Sequence, residues 1–249
     1  MTNNNLSVLL TRPLEKSRQL ADHIQDVVAN VEICPLFTYS SGHQQHLLAE
    51  QLTSNQIDIV IFVSPAAVTF ANQIIPLKTL ADIKSVIAVG DATLKLLHDF
   101  GVSQAVSPIL QKSEGVLELL QTTDIKDKNI IIVRGNGGRE MMKKQLELKG
   151  AKVAYNEVYT RNWISLDKQQ AFEKWRKDQI NCIVVTSSEL LQKLLSYIDD
   201  KQWAKQCTWI VVSERTAQQA KSAGLLNVVN SEGASHQDIR NALIALNRA

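Results

Sequence analysis

The sequence predicts a parallel α/β protein whose folding unit occurs twice. Two observations carry this. Short strand-like runs, apolar on both faces, alternate with amphipathic helical stretches, and the order of those runs repeats at a near-constant spacing. The composition agrees with a globular fold. In 249 residues, an apolar fraction of 45% and a charged fraction of 21% suffice for one large or two ordinary domains around a substantial core.

In chain order the strand-like runs are LSVLLT, VEICPLFTY, IDIVIFVS, SVIAVG, NIIIVRG, KVAYNEVYTR, INCIVVTS and TWIVVS. Strands of this kind suit a sheet covered on both faces. The stretches between them have helical spacing: within residues 17–28, Leu20, Ala21, Ile24, Val27 and Val28 form one apolar stripe.

Matching the runs exposes the repeat. IVIFVSPAAVTFANQI aligns with CIVVTSSELLQKLLSYI, which places Ser64 and Ser187 123 positions apart. IAVGDATLKLLHDFGVSQAV aligns with IVVSERTAQQAKSAGLLNVV, where Thr93 pairs with Thr216 and Gly101 with Gly224 at the same offset. VLLTRPLEKSRQLADHI resembles IIVRGNGGREMMKKQLELKG, with Arg12 and Arg134 separated by 122. SEGVLELL and SHQDIRNALIAL each begin with a serine suited to capping a helix. Two related α/β lobes with parallel sheets follow, with a cleft expected between them.

The matched residues lie at strand ends, where open α/β sheets bind ligands. Ser64-Pro65 and Ser187-Ser188-Glu189 are helix starts, and Asp91 or Thr93 and Glu214 or Thr216 open the next helices. Capping alone explains any one of these. Four helix N-termini together, each with free N–H groups and partial positive charge, suit a ligand bearing several carboxylates. Arg12, Arg134 and the following Arg139 add guanidinium groups matched to such anions, although a surface ion pair is the ordinary use of a single arginine.

The stretch IIIVRGNGGRE, residues 130–140, first reads as a phosphate loop. Its glycines, Gly135, Gly137 and Gly138, fit neither G-x-x-x-x-G-K-[ST] nor G-x-G-x-x-G, and no acidic strand end follows about twenty residues later. A nucleotide is therefore disfavoured, and the glycines are expected to let the backbone approach a carboxylate arm. No G-x-S-x-G is present, and none of the five histidines stands near a matched strand end. Tyr159, in NEVYTRN, can donate a proton or steady a leaving hydroxide, although packing is the default for a strand tyrosine.

A net charge of +2 argues against a broad nucleic-acid footprint. The cysteines Cys34, Cys182 and Cys207 are sparse and unpaired in spacing, and His43 and His46 have no cysteine partners. Reduced thiols and no metal site are the expectation. MTNNNLSVLLTR shows no signal peptide, and no apolar run approaches a membrane span. The expected location is the cytoplasm.

Taken in order, LLTRP (residues 9–13), VSPAAV (63–68), AVGDAT (88–93), VRGNGGRE (133–140), KGAKV…VYTR (ending at Arg161), VVTSS (184–188) and SERTAQQAKSAGL (213–225) resemble the uroporphyrinogen-III synthase family over essentially the full length. The resemblance implies two lobes joined by a two-stranded antiparallel linker. Residues 1–36 with 161–249 would form one lobe and residues 40–155 the other. The linker strands would lie at about 33–39 and 153–161, with the first βα units exchanged between lobes.

It also implies the reaction, in which hydroxymethylbilane cyclises to uroporphyrinogen III with inversion of ring D through a spiro intermediate and loss of water. No metal or organic cofactor takes part. Tyr159, in its V-Y-x-R context, would assist loss of the hydroxyl. Ser64, Thr93, Ser187 and Thr216 would hold the octacarboxylate substrate, joined by Ser188, Arg12, Arg134, Gly135, Gly137 and Arg139. A monomer is the default, with transient contact to the preceding pathway enzyme as a further expectation. Two departures stand out: Ser213 occupies a position where glycine is common, and Leu94 replaces an alanine after Thr93. The alternatives are a two-lobe binding protein for a small anion or sugar, against which stands the missing export signal, and a nucleotide-dependent transferase, against which stands the missing phosphate motif.

Overall fold

A computed structural model describes residues 5–53, 57–138 and 140–248. Arg139 lies outside them. The strands are β1 (Ser7–Leu10), β2 (Asn30–Ile33), β3 (Phe37–Ser41), β4 (Ile59–Phe62), β5 (Ser85–Ala88), β6 (Asn129–Gly135), β7 (Lys152–Trp163), β8 (Cys182–Val185), β9 (Thr208–Val211) and β10 (Asn227–Asn230). The helices are α1 (Leu14–Ile24), α2 (Leu48–Thr53), α3 (Pro65–Ile74), α4 (Asp91–Asp99), α5 (Ser113–Leu119), α6 (Met141–Leu148), α7 (Lys168–Lys177), α8 (Ser188–Leu195), α9 (Lys201–Gln206), α10 (Glu214–Ser222) and α11 (His236–Leu246).

The chain divides into two compact units, Met1–Thr38 with Asn162–Ala249, and Tyr39–Arg161. In the first unit the sheet runs β10-β9-β8-β1-β2, all parallel. One face is closed by Leu20 and Ile24 of α1 and Ile239 and Leu243 of α11, packed on Val8, Leu10, Cys182, Val184 and Ile210. From the centre, β1 connects outward to β2 and β8 connects outward the other way to β9. Right-handed crossovers in opposite directions place their helices on opposite faces, which makes the β1/β8 boundary the topological switch point.

The second unit repeats this plan. Its sheet runs β3-β7-β6-β4-β5, parallel from β7 to β5. β3 is antiparallel to β7: the Gly42 amide donates to Val158 and the Ile164 amide to Leu36, so numbering rises on one strand as it falls on the other. Val60, Phe62, Ile131 and Val133 pack beneath α3 and α4, whereas Ile59, Ile61, Ile130 and Ile132 pack beneath α5 and α6. The switch point is the β6/β4 boundary.

By the repeat offset, β8 and β9 match β4 and β5, and β1 and β2 match β6 and β7. The four matched strands therefore run in the same order in both sheets, β9-β8-β1-β2 and β5-β4-β6-β7, while the fifth strand is added on opposite edges, β10 beside β9 and β3 beside β7; each sheet combines strands from both copies.

Four local details differ from the sequence reading, one of them β10, which lies outside the strand-like runs. VEICPLFTY is two strands, because Pro35 lacks an N–H and restrains Cys34; the chain stays on β1 as far as the Cys34 amide, which donates to Leu10, and then leaves as β3. The helix caps before Thr93 and Thr216 are Gly90 and Ser213 rather than the residues after them. Ser235 forms a full capping box with Asp238, but Ser113 lies inside α5, whose cap position is Lys112.

Candidate active site

The C-terminal half of β7 carries Tyr159, which pairs with Gly135 at the end of β6 and retains 6% exposure. Its hydroxyl lies 3.2 Å from the Ser64 hydroxyl. Ser64 is the cap of α3 and accepts the Ala67 amide at 3.2 Å. That bond uses one serine lone pair, so the Ser64 hydroxyl can still donate to the phenol or accept from it. The chain of groups runs from a helix N-terminus through Ser64 to Tyr159, at the switch point of its sheet.

A β-bulge aims the ring. The β6/β7 register pairs Arg134 with Glu157 and Gly135 with Tyr159, so Val158 is the extra residue. Val158 and Tyr159 are consecutive and both join the core beneath α3, which regular alternation forbids. Gly135 completes the arrangement, since a Cβ built there would overlap the Tyr159 ring. The close approach expected at Gly135 is thus made by Tyr159 itself.

Arg134 is not brought beside this pair. It has the strand alternation of Ile130 and Ile132, and its guanidinium lies 4.4 Å from the centre of the Tyr155 ring, against the other core. Its Nε donates to the Gly135 carbonyl at 3.0 Å, and the residue is 6% exposed. This geometry anchors the turn that follows, in which Gly137 (φ 72°) and Gly138 (φ 100°) occupy the left-handed region. Gly137 faces open space, and Gly138 lies against Arg134.

Thr93 is buried in the first turn of α4, and its hydroxyl has no hydrogen-bond partner among the described residues. Gly90 offers no capping side chain. Gln111 substitutes for it: its Oε1 accepts the Asp91 amide at 3.2 Å, and its amide nitrogen donates to the Asp91 carboxylate. Nothing in the sequence tied Gln111 to this helix.

In the first unit, Ser187 caps α8 by accepting the Leu190 amide at 3.2 Å. Thr216 is buried, with its hydroxyl 3.0 Å from Ser213 and 3.5 Å from Ser188. Arg12 follows β1 and lies close enough to His236, the first residue of α11, to oppose its protonation. Burial is the larger cause, and together they hold His236 below the ordinary imidazole value, with Lys16 and His23 adding to the effect. His236 is missed by sequence reasoning because a loop, not a strand, precedes it. Burial pushes the Cys182 and Cys207 thiols up to about 12 and Cys34 up to about 11, so none is a thiolate nucleophile at neutral pH. No helix among the described residues is long and apolar enough to cross a membrane.

Fold and site define a class: a two-unit, doubly wound α/β protein with hydroxyl-capped helix N-termini at its switch points and a phenol on one of them. The family model described as Uroporphyrinogen-III synthase HemD matches residues 18–239. The chain belongs to the uroporphyrinogen-III synthase family. Uroporphyrinogen-III synthase of Escherichia coli K12 is 30% identical over 245 residues, covering 96% of this chain and 100% of that protein. Its namesake from Salmonella typhimurium LT2 is 29% identical with the same coverage. Among solved structures, a mutant uroporphyrinogen III synthase of Thermus thermophilus superposes with a TM-score of 0.69 at 12% identity, covering 98% of this chain and 100% of that one. The synthetase of Helicobacter pylori 26695 gives 0.61 at 15%, covering 97% and 100%. The two structures support the fold alone.

Proposed function

We propose that this chain is a cyclising hydro-lyase that converts hydroxymethylbilane to uroporphyrinogen III. The observation that carries the mechanism is the hydrogen-bonded pair Ser64–Tyr159 at the N-terminus of α3. Tyr159 donates its proton to the terminal hydroxyl of the substrate as the carbon–oxygen bond breaks. Water leaves, and the cation that remains is attacked by the substituted carbon of ring D to give the spiro intermediate. Reopening and closure at the other carbon invert the ring, and the proton released on rearomatisation restores the phenol. Ser64 and the α3 N–H groups stabilise the phenolate while it exists.

In the unit that carries Tyr159, the Thr93 hydroxyl is assigned to a carboxylate arm; in the other unit, Ser187, Ser188, Thr216 and Arg12 form a group of the same anion-binding kind. Isomer choice follows from holding ring D so that one carbon attacks before the other. Action in the cytoplasm is part of the proposal, supported by the three free cysteines.

The test supplies freshly made hydroxymethylbilane to the purified protein, then oxidises and separates the uroporphyrin isomers. Isomer III in excess is the expected product. Isomer I alone, formed at the uncatalysed rate, overturns the proposal.

A further inference from the structure

A phenol that shares a hydroxyl contact at 3.2 Å must have its ring held in one pose, and three features of the second unit hold it. The Tyr39 ring, on β3, meets Tyr159 edge to face, with centres 5.0 Å apart and planes at 83°. The Phe70 ring, on α3, lies 5.6 Å away and tilted by 35°. Tyr39 and Phe70 also touch each other, at 6.3 Å and 71°, so the three rings form a closed set. On the β6 side the space is left open by Gly135, where any side chain would collide with the ring.

α3 makes this arrangement specific. The helix supplies Ser64 at its cap and Phe70 further along, so one rigid element carries both the hydrogen-bond partner of the phenol and a support for its ring. β3 is bonded to β7, which keeps Tyr39 in step with Tyr159. Aromatic pairs at these separations are attractive beyond the area they bury. Packing of Tyr159 on any apolar neighbours would satisfy the core; two edge-on or tilted rings and a glycine restrict its direction as well.

The geometry points to Phe70 and Tyr39 as positioning residues that fix the Tyr159 hydroxyl on Ser64, with Gly135 reserving the space. This inference rests on the proposed role of Tyr159. Without the brace the ring is loosely packed and has room to swing as a whole about χ1, the hydroxyl leaves the line to its target, and proton donation slows while carboxylate binding is retained.

A double-mutant cycle tests it. Phe70→Leu is expected to lower kcat about tenfold with KM within about twofold, and to raise the share of isomer I. In a Tyr159→Phe background the same replacement is expected to cost nothing further, because the hydroxyl it positions is gone. Equal losses in both backgrounds overturn the brace and leave the proposed reaction standing; a wild type that yields only isomer I overturns the reaction. A second readout does not depend on turnover. In protein carrying labelled tyrosine, two-fold flips of the Tyr159 ring are expected to be slow in the wild type and faster in Phe70→Leu and Tyr39→Leu. Flip rates unchanged in both variants overturn the brace whatever the activity.

Discussion

The two units share the order of four matched strands and a pair of capping serines with nearly the same backbone angles, Ser64 at φ −161°, ψ 160° and Ser187 at φ −161°, ψ 157°. They differ in what surrounds those serines. Tyr159 stands beside Ser64, and its counterpart 122 positions earlier is Phe37, which has no hydroxyl and packs edge-on against Trp163. The first unit instead gathers hydroxyls: Ser188 and Ser213 meet Thr216, where the second unit has Pro65 and Gly90 around Thr93. Duplication thus kept the scaffold of helix N-termini in both copies, and a phenol beside the capping serine, the proposed proton donor, is found in one. Anion binding needs only backbone N–H groups and dipoles, which any copy of the fold supplies, whereas proton donation needs one particular side chain in one pose.

The largest effect that would break this comparison is at Tyr159. Tyr159→Phe is expected to lower kcat by roughly a hundredfold or more. The melting temperature should hardly move, because the ring and its packing remain. Wild-type turnover in this variant would place the chemistry elsewhere and make the two units equivalent.

Next comes Gly135→Ala, which pushes a methyl group into the Tyr159 ring. A destabilisation of about 1–3 kcal/mol is expected, with activity falling alongside it. A melting temperature lowered by several degrees, at about 2–4 °C per kcal/mol for a chain of this size, would agree. An unchanged melt and turnover would show that the ring is free to step aside.

The first unit has its own test in His236. Its folded pKa lies below the ordinary 6.5, so in the window between the two values the unfolded chain binds more protons. Stability is therefore fully present above 6.5 and falls as pH drops through that window. Urea midpoints at about pH 7.5 and about pH 5.5 measure this, and His236→Asn should flatten the difference. A slope that survives the replacement would assign it to other groups.

The smallest expected change is Ser213→Gly, which makes the first unit resemble the second at its Thr216 helix. Replacing a serine cap by glycine costs only a few tenths of a kcal/mol. A loss of several kcal/mol would mean that the Ser188–Ser213–Thr216 hydroxyl group holds the first unit together, rather than distinguishing it.

Much of this was legible in the chain. The caps at Ser64 and Ser187 and every strand except β10 lie where local pattern places them, although β2 and β3 share one run, and the 122–123 offset carries over to the order of the four matched strands. Arg134 shows where such reading stops. Its strand-end position is as expected, but one-residue alternation turns its side chain to the face opposite Tyr159, where Tyr155 covers it. The IIIVRGNGGRE stretch likewise gave its glycines but not their separate uses: room for a ring at Gly135, and left-handed turns at Gly137 and Gly138.

The sequence by itself determined the parallel α/β class, the duplication and the helix N-termini, because each depends on residues near one another in the chain or on a copied pattern. The sharing of strands between the sheets was expected only through the family resemblance, and the tertiary structure alone decided that a bulge at Val158 turns Tyr159 toward Ser64 and that Tyr39, Phe70 and Gly135 close around it. Those contacts join positions far apart in sequence, and a one-residue change of register is enough to reverse the direction of a side chain.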